Sequence, residues 1–402
     1  MGVISATGNS VAENHVALKA AICGVKKELN LFPSKYAGVL PFGQVQISTN
    51  SLQKKLQINE RGVTRTTMLA MHAFNEAVAD AGLSASALQS ADTALIGATT
   101  VGGMCLTDEF YNDANLKEGL SGSDYLQSYD GASICLYLQK HFNMSGIINT
   151  INTACSSSAN AIMYGAMLIK NGYAKRAIVG GTDSLAKFTI NGFNALHILS
   201  PHNCAPFDEG RQGLNLGEGA AFLILEKEED IIPRGAVDEA LRVSGKKIYA
   251  ELTGYCNAND AYHPSSLSDQ GDGPYLAMQG ALQAAKLLPS QIDFINAHGT
   301  GTENNDEVES RAMMRLFDTP PAFASTKANV GHTLGAAGAI EAVYSILSLL
   351  HQEVYPNLHF KNAISATGLL PVQAYKKMPV NHVMSNSFGF GGNCSSLVFS
   401  KV

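Results

Sequence analysis

Gly146-Ile147-Ile148-Asn149-Thr150-Ile151 runs without interruption into Asn152-Thr153-Ala154-Cys155-Ser156-Ser157-Ser158-Ala159. The first stretch is apolar and β-branched and reads as a buried strand. From Ala159 to Asn171 the residues Ile162, Met163, Met167, Leu168 and Ile169 recur at helical spacing. A strand that turns through small residues directly into a helix is the joint of an α/β fold, and here it leaves Cys155 at a helix start. Unpaired N–H groups and the positive end of the helix dipole favour a thiolate there, and the same N–H groups can receive an oxyanion. The pattern is that of a nucleophile elbow with sulfur in place of a serine oxygen. A free cysteine is ordinarily a small buried hydrophobe. The serines and alanines crowding Cys155 let backbone and ligand approach closely, and they argue for the reactive reading.

On either side of this joint, strands and helices alternate. Thr93–Ala98, Lys175–Gly181, Ala220–Glu226, Ile292–Ala297 and Leu397–Phe399 read as strands. Thr64–Ala81, Pro274–Lys286, Asp306–Phe317 and Gly338–Leu350 read as helices. The chain is therefore α/β with a mainly buried sheet. A boundary is expected near Arg242–Lys247, after the charged stretch Glu228–Glu239 and before a strand opening at Ile248. It divides the chain into 1–245 and 246–402. Each part has a strand leading into a glycine-rich turn, which hints at a duplicated unit.

Composition narrows the class. The 402 residues are 46% hydrophobic and 15% charged with 38 Gly, which suits compact globular units rather than a disordered or fibrous chain. A net charge of -6 argues against a nucleic-acid surface. Seven scattered cysteines without a CxxC pair fit a reducing cytoplasm. No basic-then-apolar leader opens the sequence, and the apolar run Ala342–Leu350 is too short for a bilayer, so no membrane span is expected. No His/Cys/Asp/Glu group has metal-ligand spacing, so no catalytic metal is expected.

Two further turns place a histidine among small residues. One is Asn296-Ala297-His298-Gly299-Thr300-Gly301-Thr302-Glu303, after a strand. The other is Ser325-Thr326-Lys327-Ala328-Asn329-Val330-Gly331-His332-Thr333-Leu334-Gly335, before a helix. Sites of open α/β folds lie at strand ends. A thiolate can take an acyl group from a thioester, and neutral imidazoles can donate to a thioester oxygen where charge develops. Lys327 needs an acidic partner, for which Glu341 and Asp306 are available. Gly331–Gly338 lacks the Gly-Lys-Ser/Thr ending of a phosphate loop.

Together these segments resemble the condensing enzymes of fatty-acid and polyketide synthesis, the beta-ketoacyl-ACP synthases of the elongating I/II type. Thr153–Ser157 looks like the family's nucleophile motif, His298–Thr302 its first histidine motif and Lys327–His332 its second. Ser387-Phe388-Gly389-Phe390-Gly391-Gly392 resembles its C-terminal glycine loop, and Pro206–Asp208 through Gly217–Ala220 also matches. The resemblance implies a thiolase fold, two similar α/β halves in a five-layer α-β-α-β-α arrangement. It implies that Cys155 takes the acyl chain and that His298 and His332 bind the malonyl thioester, promote decarboxylation and stabilise the enolate. The N–H groups of Cys155 and Phe390 would form the oxyanion hole, and Phe390 would also gate the site. Lys327 would pair with Glu341, with Asp306 nearby, and Thr300 and Thr302 would contact the phosphopantetheine arm. The implied partner is acyl carrier protein, whose phosphopantetheine carries the substrates; no cofactor is bound by the enzyme itself. A homodimer is implied, with a heterodimer with a chain-length partner as the alternative.

Departures from the pattern leave other readings open. The sequence begins at Met1-Gly2-Val3-Ile4-Ser5, so either upstream residues are missing or the first edge strand is short. Asn393-Cys394 stands where many relatives have Thr-Asn, and a second cysteine there suggests a CoA-dependent thiolase. A non-catalytic chain-length partner in a heterodimer is the third reading. His197 occupies a place where many relatives have a carrier-docking arginine, with Arg61, Arg65, Lys54 and Lys55 as substitutes. Thr107 aligns with the end of the acyl pocket and hints at an unsaturated or aromatic-ended chain, as in aryl polyene synthesis.

Overall fold

The computed structural model describes residues 1–107, 111, 126–227 and 247–402. Ten of its strands form two five-stranded sheets. The first contains β1 (Gly2–Ile4), β2 (Thr93–Ala98), β3 (Ile148–Ile151), β4 (Arg176–Asp183) and β5 (Gly219–Glu226), in the order β1-β5-β4-β2-β3. The second contains β6 (Glu251–Asn259), β7 (Phe294–Asn296), β8 (Ala322–Ala324), β11 (His382–Phe388) and β12 (Asn393–Ser400), in the order β6-β12-β11-β7-β8. Between β8 and β11 in sequence, β9 (Glu353–Val354) and β10 (Lys376–Lys377) make a small separate ribbon.

Both sheets have one topology. Counted within each half, the order is first-fifth-fourth-second-third. The first two pairings are antiparallel and the last two parallel in both sheets. The duplication hinted at by the sequence is thus a repeat of topology. The expected division at 245/246 lies outside the described residues.

The helices Ser157–Lys170 and Ala337–His351 pack against each other and contact strands of both sheets. Arg65–Asp80 covers the outer face of the first sheet and Asp272–Ala285 that of the second. These are the five expected layers. The helix Ala337–His351 is buried through Leu349, and Ala, Val, Ile and Leu fill the space between the sheets. The segment Leu334–His351 is in fact long and apolar enough to cross a membrane, contrary to the shorter run read from the sequence. The fold instead buries 89% of it as a core helix.

Two expectations change here. β3 is an edge strand rather than a buried one, since it pairs only with β2 and none of its residues is fully buried. Its apolar run continues outward: Ile147 is 37% exposed and Met167, on the adjacent helix, 44% exposed. Arg65 is not available to a partner. Its guanidinium is buried, bonds Glu218 at 2.7 Å and also donates to the carbonyls of Val45 and Ile47. Glu218 in turn accepts from the N–H groups of Val45 and Leu185, so the pair pins three loops. Removing one member strands a buried charge. Arg65→Ala should therefore cost about 3–5 kcal/mol of stability in denaturant unfolding. Lys54, Lys55 and Arg61 remain exposed.

Candidate active site

The nucleophile turn is held from several directions. Ala154 adopts φ 52°, a left-handed conformation costly for a residue with a side chain. Its carbonyl accepts from the hydroxyls of Ser157 at 2.5 Å and Thr100 at 3.1 Å, while the Ser157 hydroxyl accepts from the Thr153 N–H. Cys155 follows, one residue before the N-cap Ser156 of the helix Ser157–Lys170. The helix starts two residues earlier than its apolar spacing shows. Gly165 on that helix lets it lie against β4, because a Cβ there would sit 2.3 Å from Val179.

Cys155 is buried, and burial pushes its thiol up to about 11, against the charge of Lys327 and a hydrogen bond from the backbone of Phe390. This corrects the expectation of a ready thiolate. Cys155 stands just before the helix start, but the cost of burying an anion is the largest effect on its thiol. Burial thus favours the neutral thiol at Cys155.

His298 follows β7, and His332 follows the single turn Lys327–Val330 through Gly331. Both are 2% exposed, and their rings meet edge to face at 5.5 Å between centroids. Burial, and then the Lys327 ammonium, hold both imidazoles well below the ordinary histidine value, with His332 adding to the effect on His298. Their tautomers follow from their neighbours. The Lys327 ammonium lies 3.3 Å from Nδ1 of His298, and the Leu334 N–H donates to Nδ1 of His332 at 3.2 Å. Each Nδ1 is therefore an acceptor, and each neutral ring carries its proton on Nε2.

Lys327 is 2% exposed and bonds Glu341 at 2.5 Å, as expected of that pair. Burial raises Glu341 to about 7 while Lys327 pulls it down. Asp306 is not a partner of Lys327. It accepts from the N–H groups of Thr300, Gly301 and Phe207, and so it shapes the first histidine loop. Glu309, missed in the sequence, accepts from the N–H groups of His298 and Gly299 and from Asn386, and burial raises it to about 7. Asp306, Glu309 and Met313 share the buried side of one helix, and carboxylates on an apolar face are the signal that could have found Glu309. Asp183 was missed too. It is fully buried at the end of β4 and accepts from Thr99, Thr100, Val101 and Gly335.

A cavity of about 580 Å³ joins Cys155, His298, His332, Thr300, Thr302 and Phe390. The hydroxyls of Thr300 and Thr302 are 2.8 Å apart at its wall. The Phe390 ring stacks on Phe193 with centroids 6.0 Å apart. Gly389 lies so close to the nucleophile turn that a Cβ would stand 2.6 Å from the Thr153 carbonyl. His197 also lines the cavity, whereas Thr107 does not: its hydroxyl donates to the Met104 carbonyl at 2.7 Å. Cys394 is buried outside the cavity with its sulfur against the Gly392 carbonyl, which removes it as a second thiol of the site.

Chemically, the site offers one acylable thiol, backbone donors beside it and two neutral Nε2–H donors converging on the same space. Since both imidazoles are held neutral, a reaction that uses them as donors should show no inflection near pH 6.5. A pH–rate profile between pH 6 and 8 checks this. Stability has its own dependence: below pH 6.5 the unfolded chain protonates both rings and the folded chain resists, so acid should destabilise the fold.

Residues 35–231 match the family described as "Beta-ketoacyl synthase, N-terminal domain", and residues 249–361 match "Beta-ketoacyl synthase, C-terminal domain". The chain is 33% identical to a putative mitochondrial 3-oxoacyl-[acyl-carrier-protein] synthase of Schizosaccharomyces pombe, covering all of this chain and 97% of that one. It is 31% identical to 3-oxoacyl-[acyl-carrier-protein] synthase 2 of Coxiella burnetii, with the same coverage. Among solved structures, the ishigamide ketosynthase/chain length factor superposes with a TM-score of 0.89 at 27% identity, over 100% of this chain and 97% of that one. A beta-ketoacyl synthase from Burkholderia phymatum gives 0.87 at 28% identity, over 100% and 98%.

Proposed function

From a chain that belongs to the beta-ketoacyl synthase family, we infer an elongating condensing enzyme whose acyl chain rides on Cys155 and whose extender is a malonyl thioester on acyl carrier protein. The observation that carries the residue assignment is the pair of buried imidazoles, each engaged at Nδ1, opening on the same cavity as the thiol.

In the first half-reaction the Cys155 sulfur attacks the acyl thioester. Its proton goes to the leaving carrier thiol, because each imidazole already uses its basic nitrogen. The tetrahedral oxyanion lies between the N–H groups of Cys155 and Phe390. In the second, the malonyl thioester oxygen accepts from both Nε2–H groups. Carbon dioxide leaves, its bonding pair becomes the enolate, and the enolate carbon attacks the acyl carbonyl. Collapse expels Cys155 as thiolate, and a proton from solvent restores the thiol. Thr300 and Thr302 at the cavity wall suit the amide-bearing carrier arm. Neutral donors serve this chemistry because they stabilise an enolate without binding the malonyl carboxylate as a charge pair, which would hold it back from leaving.

The test supplies acyl-ACP and malonyl-ACP and, separately, acetoacetyl-CoA with free CoA. Release of carbon dioxide with a lengthened ketoacyl-ACP is expected. Thiolysis without malonyl turnover would sink the reading.

We further propose a second subunit across β3. The half-exposed edge with Ile147 and Met167 beside it supports a sheet continued by a partner, which is a second copy or a chain-length subunit. Light scattering should find a dimer, and Met167→Glu should shift it toward monomer. The seven free cysteines support a reducing compartment such as the cytoplasm. The twin sheets, one formed before residue 227 and one after 250, support two halves meeting near residue 245.

A further inference from the structure

We propose that Asn393 is a positioning residue for acyl transfer: its side-chain carbonyl moors the Phe390 turn to the start of the nucleophile helix. This rests on Cys155 as the acylated group. Phe390 lies at the tip of the turn joining β11 and β12, which is closed at its base by Gly389 N–H donating to the Asn393 carbonyl at 2.7 Å. The side chain of the same residue reaches the other way. Asn393 Oδ1 accepts from the hydroxyl of Ser156 at 2.7 Å, from Asn160 Nδ2 at 2.8 Å and from Asn257 Nδ2 at 2.7 Å.

Ser156 is the residue after the nucleophile and occupies the N-cap position of its helix. Asn160 lies one turn on and also donates to the Thr153 hydroxyl at 2.8 Å, so both flanks of Cys155 are tied to this oxygen. A carbonyl with two lone pairs meets three donors, and each donor has a second acceptor nearby: the Thr153 carbonyl for Ser156, the Thr153 hydroxyl for Asn160 and the Ser395 hydroxyl for Asn257. Losing the Asn393 oxygen therefore loosens the turn without orphaning its donors. On its far side the turn is held by Gly391 N–H on the Pro264 carbonyl, Asp260 N–H on the Gly392 carbonyl and Asn259 on the Gly391 carbonyl. Phe390 N–H thus meets the Cys155 sulfur from a tip whose base the Asn393 side chain ties to the nucleophile helix, with the Ser395 hydroxyl donating to Asn160 Oδ1 further along the strand at 2.7 Å. The close fit of Gly389 against Thr153 shows the same need for register from the backbone side. None of the Asn393 bonds reaches His298, His332 or Lys327.

The experiment compares the full chain with Asn393→Ala and Asn393→Asp in three measurements. These are single-turnover acylation of Cys155 from acyl-ACP, decarboxylation of malonyl-ACP, and the pH profile of Cys155 alkylation by iodoacetamide, read on the Cys155 peptide by mass spectrometry. In Asn393→Ala the acylation rate should fall ~10–100-fold, the scale of one misplaced oxyanion donor. The KM for acyl-ACP should stay within about twofold and decarboxylation within about threefold, because binding and the imidazoles are untouched. The alkylation profile should move to higher pH as Phe390 N–H loses its aim. Asn393→Asp should recover acylation, since a carboxylate oxygen accepts from the same donors, while its added charge keeps the alkylation profile at higher pH. An equal loss in both half-reactions with a lower unfolding midpoint, unrescued by Asp, would overturn the proposal, as would unchanged acylation and alkylation. Failure of the underlying reading looks different: the wild-type chain itself would not acylate, while the alkylation profile would still report on Asn393.

Discussion

Cys155→Ala should abolish the acyl-enzyme and lower condensation by roughly 10³-fold or more, because no other thiol reaches the cavity and the covalent step has no substitute. Malonyl decarboxylation should survive in part. That step needs the Nε2–H groups of His298 and His332, whose orientation is set by Lys327 and Leu334 and not by the sulfur. Intact-mass analysis after incubation with acyl-ACP checks the first half, and carbon dioxide release from malonyl-ACP alone checks the second. An acyl adduct persisting in this variant would place the nucleophile elsewhere. Loss of both activities with a native unfolding midpoint would mean the two half-reactions share more than the cavity.

Lys327→Ala should have the second largest effect, on stability and chemistry together. The ammonium bonds Glu341 and faces Nδ1 of His298, all of them buried. Its removal leaves Glu341 alone, at a cost of about 3–5 kcal/mol. It also frees His298 to place its proton on either nitrogen, so decarboxylation should fall ~10²–10³-fold, the scale of losing one preorganised donor. The pH dependence has a definite sign. Burial already holds Glu341 at about 7 in the folded protein, above its ordinary value of 4.5. A raised carboxyl favours the folded state below pH 4.5 and loses that contribution as the pH rises through the folded value. Without Lys327 the folded value is higher still, so the stability gap to wild type should widen above pH 7 and close toward pH 4.5. The double variant Lys327→Met with Glu341→Leu should regain stability without regaining decarboxylation, which separates the two roles of the lysine.

Much of this architecture is legible in the residues themselves. Thr93–Ala98 is a strand with the boundaries its apolar run announces, and the Cys155, His298 and His332 turns stand at strand or helix ends as glycines and small residues suggest. Burial is less legible. Gly146–Ile151 has the composition of an interior strand, yet it closes the sheet on one side, and composition cannot distinguish a core from a face that awaits a partner. Charged groups mislead for the same reason. Arg65 resembles a solvated arginine until Glu218, 153 residues away, is seen beside it. Asp306 is near Lys327 in sequence but serves the backbone of another loop. Asp183 carries no local pattern at all, because its four donors come from two distant turns. The Asn393 cluster is likewise assembled from three segments that no spacing rule connects.

The shared topology of the two sheets gives the site a hidden symmetry. Cys155 follows the third strand of its half and precedes the helix that runs between the sheets; Lys327 and His332 follow the third strand of theirs and precede the matching helix. Thr99 and Thr100 after β2 correspond to His298 after β7, and Asp183 at the end of β4 corresponds to Phe388 at the end of β11. Equivalent places in a doubled scaffold have been given opposite duties. On the roles proposed above, one copy holds the group that carries the chain, and the other holds the groups that prepare its extension. Neither copy by itself contains a reaction, so division of labour between twins, rather than any single side chain, makes the pair indispensable.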